Sequence, residues 1–259
     1  MLEDGGATVF LTPATPFYTR KKNSNIHEAQ MRKNVLDYQT EVVSVHDSVF
    51  GEYIHTFTGI VITTLKKIPN LGDKLVSYTS EAGIRYENAP IEGINLAGYD
   101  LKLFLSMREK CIAASKKFGS VGSLVRPTKN NAEVGCYVQA IRGATYRNDM
   151  FTIVSNNPDY YKEATDNGLK IILPRDEWNN FYTYAKTFVA RFCVSIMKID
   201  QHLDSGQFSF LPLVDFSKKW TDAELAELIG FTEEEMNEIY KVLPDYHNLL
   251  GTNLEEFTE

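Results

Sequence analysis

The chain has 259 residues, 43% hydrophobic, 24% charged and 12% aromatic, which excludes disordered, collagen-like and coiled-coil architectures. The formal charge of −7 argues against a simple basic nucleic-acid binder, but the charge is unevenly spread. From Asp204 onward there are 13 acidic and 3 basic residues, while the preceding part carries 24 Lys/Arg against 21 Asp/Glu. A mildly basic body with an acidic tail is a different object from an acidic protein.

In chain order, residues 7–12 form a β-branched and aromatic run behind Gly5-Gly6, predicting a buried strand entered through a tight turn. Pro13 and Pro16 forbid a helix directly after it, and Arg20, Lys21 and Lys22 fall in the next loop. Asn25 and Glu28 stand at capping-box spacing before Met31, Val35 and Leu36, predicting a helix over 26–38. Strands are predicted at Val42–Val45 and Gly59–Leu65. Strand, helix, strand, strand is one piece of an α/β sheet. A doubly wound sheet with both faces covered cannot end there.

Beyond residue 70 the elements shorten. A helix is predicted from Asp100 to Ser115, then a polar stretch from Lys116 to Glu133. Strands follow at Cys136–Ile141, Phe151–Val154 and Lys170–Leu173. Trp178, Phe181, Tyr182, Ala185, Phe188, Val189, Phe192 and Ile196 recur at spacings of three and four, predicting one amphipathic helix whose aromatics pack in a core. Two short helices start at Thr221 with Glu224 and at Thr232 with Glu235, stopping at Gly230 and Pro244. Three domains result: 1–70, 71–205, and an acidic helical tail over 206–259.

Several motif-like stretches carry no chemistry. Phe118 to Gly122 lacks the Gly-x-Gly pair of a cofactor-binding turn and reads as a flexible loop. The five histidines have no metal spacing, so no metal site is assigned. No Gly-x-Ser-x-Gly elbow or Walker loop occurs. Cys111, Cys136 and Cys193 are widely spaced and odd in number, which favours buried free thiols in a reducing cytoplasm. No apolar run reaches the roughly 18–20 residues of a bilayer span, and the acidic N-terminus does not resemble a signal peptide. A cytoplasmic protein of a bacterial or phage-infected cell, without a membrane partner, is the expectation.

The beginning of the chain is the most informative part. Leu2 to Gly6, the 7–12 strand with Thr12-Pro13, and Pro16-Phe17 resemble the fifth strand and its flanks in S-adenosylmethionine-dependent N6-adenine DNA methyltransferases of the gamma class. The 26–38 helix and Val42–Val45 then resemble the next helix and strand six. Val49-Phe50 is similar to the valine-phenylalanine motif before strand seven, and Gly59–Leu65 to strand seven itself. Phe208–Pro212, Asp215-Phe216, Lys219 to Asp222 and Glu233–Glu235 resemble the closing segment of type II restriction–modification and phage adenine methylases.

The resemblance implies a partial Rossmann-like methyltransferase sheet (strands five to seven), then a mixed α+β target-recognition domain and the helical tail. In the family, the glycine turn for S-adenosylmethionine and the Asn/Asp-Pro-Pro-aromatic loop both precede the matching segment. Neither occurs here; Asn157-Pro158-Asp159-Tyr160 lacks the second proline. No catalytic residue is therefore assigned. S-adenosylmethionine is expected in a partner chain carrying the N-terminal methyltransferase half, and this chain alone is expected to bind none. A fragment opening at strand five leaves an apolar edge near residues 7–12 that another polypeptide must cover.

By resemblance Phe50 stacks on the extruded target base, with packing beneath the loop as its other reading. The DNA-binding set is Arg20, Lys21, Lys22, Lys116, Lys117, Arg126, Lys129, Arg142 and Arg147, accompanied by Asn130, Asn131 and Asn148. Arg reads guanine and Asn adenine in the major groove, and Lys suits phosphate. The function implied is the DNA-recognition half of a split or truncated adenine methyltransferase, inactive alone. The competing readings are a non-catalytic DNA- or protein-binding adaptor (a phage component or anti-defence decoy), and a novel fold whose ends match by chance.

Overall fold

The computed structural model describes residues 3–13, 35–45, 60–70, 75–80, 83–90, 99–127, 136–139, 153–155, 169–196 and 205–243. The protein is a mixed α/β chain of two compact units, Met1–Phe104 and Leu105–Glu259.

The first unit is built on a five-stranded mixed sheet of order β1-β3-β2-β4-β5. Its strands are β1 (Ala7–Pro13), β2 (Tyr38–Val45), β3 (Ile60–Pro69), β4 (Leu75–Thr79) and β5 (Arg85–Pro90). β3 runs antiparallel to both β1 and β2, so those two are parallel to each other. β4 continues parallel to β2, and β5 closes antiparallel to β4. The three strands expected before residue 70 are present, and the sheet runs on past that point through β4 and β5. Of the 26–38 helix, most lies outside the described residues. Residues 35–37 are helical, and Tyr38 already belongs to β2.

One face of this sheet is buried. Alternate residues of β2 (Thr40, Val42, Ser44) and β3 (Val61, Thr63, Leu65) are buried, the period-two pattern of a sheet packed on one side. Val76, Tyr78 and Ala89 continue this core across β4 and β5. The Ser44 and Tyr78 hydroxyls share a buried hydrogen bond of 3.1 Å, and Tyr86 stacks on Tyr78 with centroids 6.1 Å apart.

The second unit contains most of α1 (Leu101–Phe118), a short 3-10 turn (Val121–Leu124), and an antiparallel four-stranded sheet of order β6-β9-β7-β8. Those strands are β6 (Val125–Pro127), β7 (Cys136–Gln139), β8 (Ile153–Ser155) and β9 (Leu169–Ile171). The polar stretch after α1 thus contains an element, β6, that its composition hides. Helices α2 (Trp178–Ala185), α3 (Phe188–Ser195), α4 (Asp222–Ile229) and α5 (Glu233–Val242) complete the unit.

The single helix predicted over 178–196 is two. Thr187 adopts an extended backbone (φ −62°, ψ 149°), and its hydroxyl accepts from the Ala190 amide, so it ends one helix and caps the next. A threonine cap competes with helical continuation, while the apolar spacing persists across the break and masks it. The core is aromatic as expected: Phe216 meets Phe181 and Tyr184 edge-on, each with centroids 5.2 Å apart. Both predicted capping boxes, Thr221 with Glu224 and Thr232 with Glu235, are formed. Gly230 leaves α4 at φ 84°, a left-handed conformation that only glycine adopts without cost.

The 118–122 loop is held on both sides rather than flexible. The Val121 amide donates to the Leu211 carbonyl (2.9 Å) and the Leu213 amide to the Gly119 carbonyl (3.1 Å). A Cβ on Gly122 would stand 2.9 Å from the Ser205 carbonyl oxygen, so this glycine is required by close backbone approach.

Candidate functional site

β1 is the outer strand of its sheet among the described residues, pairing along its length with β3. A β-turn precedes it: the Gly6 amide donates to the Glu3 carbonyl (2.9 Å), with Gly5 at φ 79°. Gly5 then donates to the Lys67 carbonyl (3.2 Å), while Lys67 donates back to the Gly6 carbonyl (2.8 Å). Two residues opposite one, with a left-handed glycine first, is a β-bulge that sets the strand's register. From the Gly6–Lys67 pair the two-residue repeat turns the backbone groups of Thr8, Phe10 and Thr12 toward β3. Those of Ala7, Val9 and Leu11 face the open side.

The side chains on this strand are unusual for an edge. Val9, Phe10 and Leu11 are 64%, 43% and 55% exposed, three consecutive large apolar residues left open. Edge strands in stable proteins carry charge, proline or a covering element; among the described residues the blunting devices here are the Gly5-Gly6 bulge and Pro13. The expectation of a buried strand is therefore corrected. The β-branched and aromatic composition specifies a strand meant for burial, and the described structure supplies a neighbour on one side only. Among the described residues the outer strand with exposed apolar side chains falls at residues 7–13.

The buried Thr63 hydroxyl on β3, and that of Thr12 on β1, make no hydrogen bond among the described residues. Their strands are adjacent in register, Thr12 opposite Val61 and Phe10 opposite Thr63. This stretch of sheet is incompletely satisfied as well as incompletely covered.

Three members of the predicted DNA-binding set fall on described residues, all in the second unit. Lys116 and Lys117 are exposed in the last turn of α1, where a positive charge also complements the helix dipole. The Lys117 ammonium lies 4.8 Å from the Phe118 ring centroid. Arg126 is exposed on β6, and its Nη1 donates to the Ser123 and Val125 carbonyls (2.9 and 2.8 Å). Those bonds pre-order the guanidinium fork, which lowers the entropy cost of gripping a phosphate or a guanine. Lys116, Lys117 and Arg126 thus come from one passage of chain around the 118–122 turn. Arg20, Lys21, Lys22, Phe50, Lys129, Arg142 and Arg147 lie outside the described residues, as do Asn157 to Tyr160.

The closing motif is accounted for by packing and capping. Phe208, Leu211 and Phe216 are core residues. Trp220 donates its indole N–H to the Asp215 carbonyl (2.7 Å), and Lys218 sits 3.9 Å above its ring and 3.0 Å from Glu224. Asp222 accepts from the Val189 amide (2.8 Å) at the start of α3, so one carboxylate ties α4 to α3. Burial raises the Asp222 pKa, against the pull of the Val189 and Phe188 amides and Arg191.

Among the described residues no group of three or more His, Cys, Asp or Glu could hold a metal ion, and no helix is long and apolar enough to cross a membrane. No family model, curated protein or solved structure matches the chain.

Proposed function

We propose that this chain is the DNA-recognition half of a split or truncated S-adenosylmethionine-dependent N6-adenine DNA methyltransferase, inactive by itself. The observation that carries the reading is the open apolar edge of β1 at one side of a β1-β3-β2 arrangement. The resemblance assigns these strands to positions five, seven and six. The edge left open is then the one against which the earlier strands pack, and β4 and β5 are additions beyond strand six.

On this reading the chain holds no S-adenosylmethionine of its own. The nearest glycine turn, Gly119 to Gly122, spends its backbone on Leu211 and Leu213 and is closed by Ser205. The methyl donor and the loop gripping the target amino group belong, on this reading, to a second polypeptide. This chain's part is to complete the sheet and hold DNA, with Lys116, Lys117 and Arg126 on the duplex and Phe50 against the extruded base.

Copurification and methyl transfer test the reading together. Co-expression with the neighbouring reading frame that bears the glycine turn and the Pro-Pro loop should yield a stable complex. That complex should place labelled methyl groups on adenine in duplex DNA, and neither chain alone should do so. A monodisperse chain that recruits no such partner and binds DNA unaided would favour the adaptor reading instead.

Binding to duplex DNA, followed by fluorescence anisotropy, should weaken steeply with salt. Replacing Arg126 and Arg142 with alanine should flatten the plot of log K against log salt by about 2, if each meets a phosphate. Affinity independent of salt, or unchanged in the variant, would remove these residues from the interface.

A further inference from the structure

Cys111 lies in α1 and Cys193 in α3, and their sulfurs approach to 3.5 Å although the residues are 82 apart in sequence. Both are free and wholly buried. A disulfide needs the sulfurs at about 2.05 Å, so closure requires an approach of roughly 1.5 Å, within reach of small side-chain rotations and helix adjustment. Nothing in the proposed DNA-recognition role uses either thiol.

We propose that Cys111 and Cys193 are a redox pair that hydrogen peroxide closes into a disulfide, fastening α1 to α3. In the first step one thiol attacks the peroxide, the O–O bond breaks, and the sulfur becomes a sulfenic acid as water leaves. The second thiol then displaces the sulfenic oxygen, forming the S–S bond and releasing a second water. Two thiols are oxidised, and one peroxide is reduced to two waters.

The surroundings set the tempo. Burial, then the neighbouring sulfur, pushes the Cys111 pKa up, so that thiol rests protonated and poorly nucleophilic. Reaction must await local opening of the seam between α1 and α3. Once the first sulfur is oxidised, the adjacent thiol resolves it before over-oxidation. α3 also packs against α4 and α5, so a bond across this seam braces the helical part of the second unit.

The test treats the native full-length chain with hydrogen peroxide and maps its peptides without reduction. The expected product is a Cys111–Cys193 linked peptide with Cys136 outside it. The oxidised chain should unfold about 5 °C higher, because a long loop is closed in the unfolded state, and dithiothreitol should reverse the shift. Cys193→Ala and Cys111→Ala should each abolish the link and the shift, and leave the remaining thiol to proceed to sulfinic acid. Recovery of both thiols unlinked from the native chain, or linkage only after denaturation, would overturn the proposal.

Discussion

A chain carrying Val9→Lys and Leu11→Lys is expected to lose its partner polypeptide, with apparent affinity falling about 100-fold or more and methyl transfer by the mixed chains falling with it. Both side chains are more than half exposed in the chain itself, so the isolated protein gives up little burial and should unfold at nearly the wild-type temperature. In a complex the same positions lie beside an added strand. There two ammonium groups would be stripped of water with no counter-charge provided.

A complementary variant is Val9→Pro. The Val9 amide faces the open side, so proline removes a donor that β3 does not use and that an incoming strand requires. Size-exclusion chromatography of the mixed chains reads both variants. Association unchanged by both would show that the edge is not the docking surface. A wild-type chain that dimerises with itself through β1, and is made monomeric by the lysines, would replace the split-enzyme reading with a homomeric one.

The second large effect concerns Glu235. Its buried carboxylate accepts from the Lys110 ammonium (2.7 Å), the Ser106 hydroxyl (2.7 Å) and the Thr232 amide (2.8 Å), so it fastens α5 to α1 while closing a capping box. Glu235→Ala should cost about 2–3 kcal/mol, combining a lost cap with donors left short of an acceptor. The cost stays below that of breaking a fully buried pair because the Lys110 side chain is 30% exposed and can turn to water. Differential scanning calorimetry should find the unit melting about 5–10 °C lower.

The pH dependence has a definite sign. Burial raises the Glu235 pKa, but Lys110, the Thr232 amide and Ser106 outweigh it and leave the carboxyl below its ordinary range. The unfolded chain then binds a proton more readily than the folded one. The stabilisation is present above the ordinary glutamate pKa of about 4.3 and is lost as pH falls through the lowered folded value. Glu235→Gln should remove that acid-limb component. An acid limb identical in the two proteins would sever the link between this carboxylate and stability.

Local signals in the chain determined a good deal. The strands at β1, β2 and β3, the helix α1 and the two capped helices α4 and α5 were all legible, because each is specified by residues within a few positions. Gly5-Gly6 turns the chain into β1, Asp100 accepts from the Lys102 and Leu103 amides to start α1, and the Thr-x-x-Glu pairs close on themselves. The apolar edge was also foreseeable, since the composition of residues 7–12 calls for burial and, among the described residues, β1 pairs with β3 alone.

Only the tertiary structure decided the rest. β4 joins the sheet through β2 (Glu41 opposite Ser77), β5 through the neighbouring β4, where Arg85 also reaches Glu41, and β6 through the far-off β9 (Val125 opposite Ile171). The break at Lys186-Thr187 is invisible in a periodicity that continues through it. The adjacency of Cys111 to Cys193 and of Glu235 to Lys110 joins residues 82 and 125 positions apart. Sequence spacing carries no information about contacts at such range; they exist because packing the helices around one aromatic core brings those faces together.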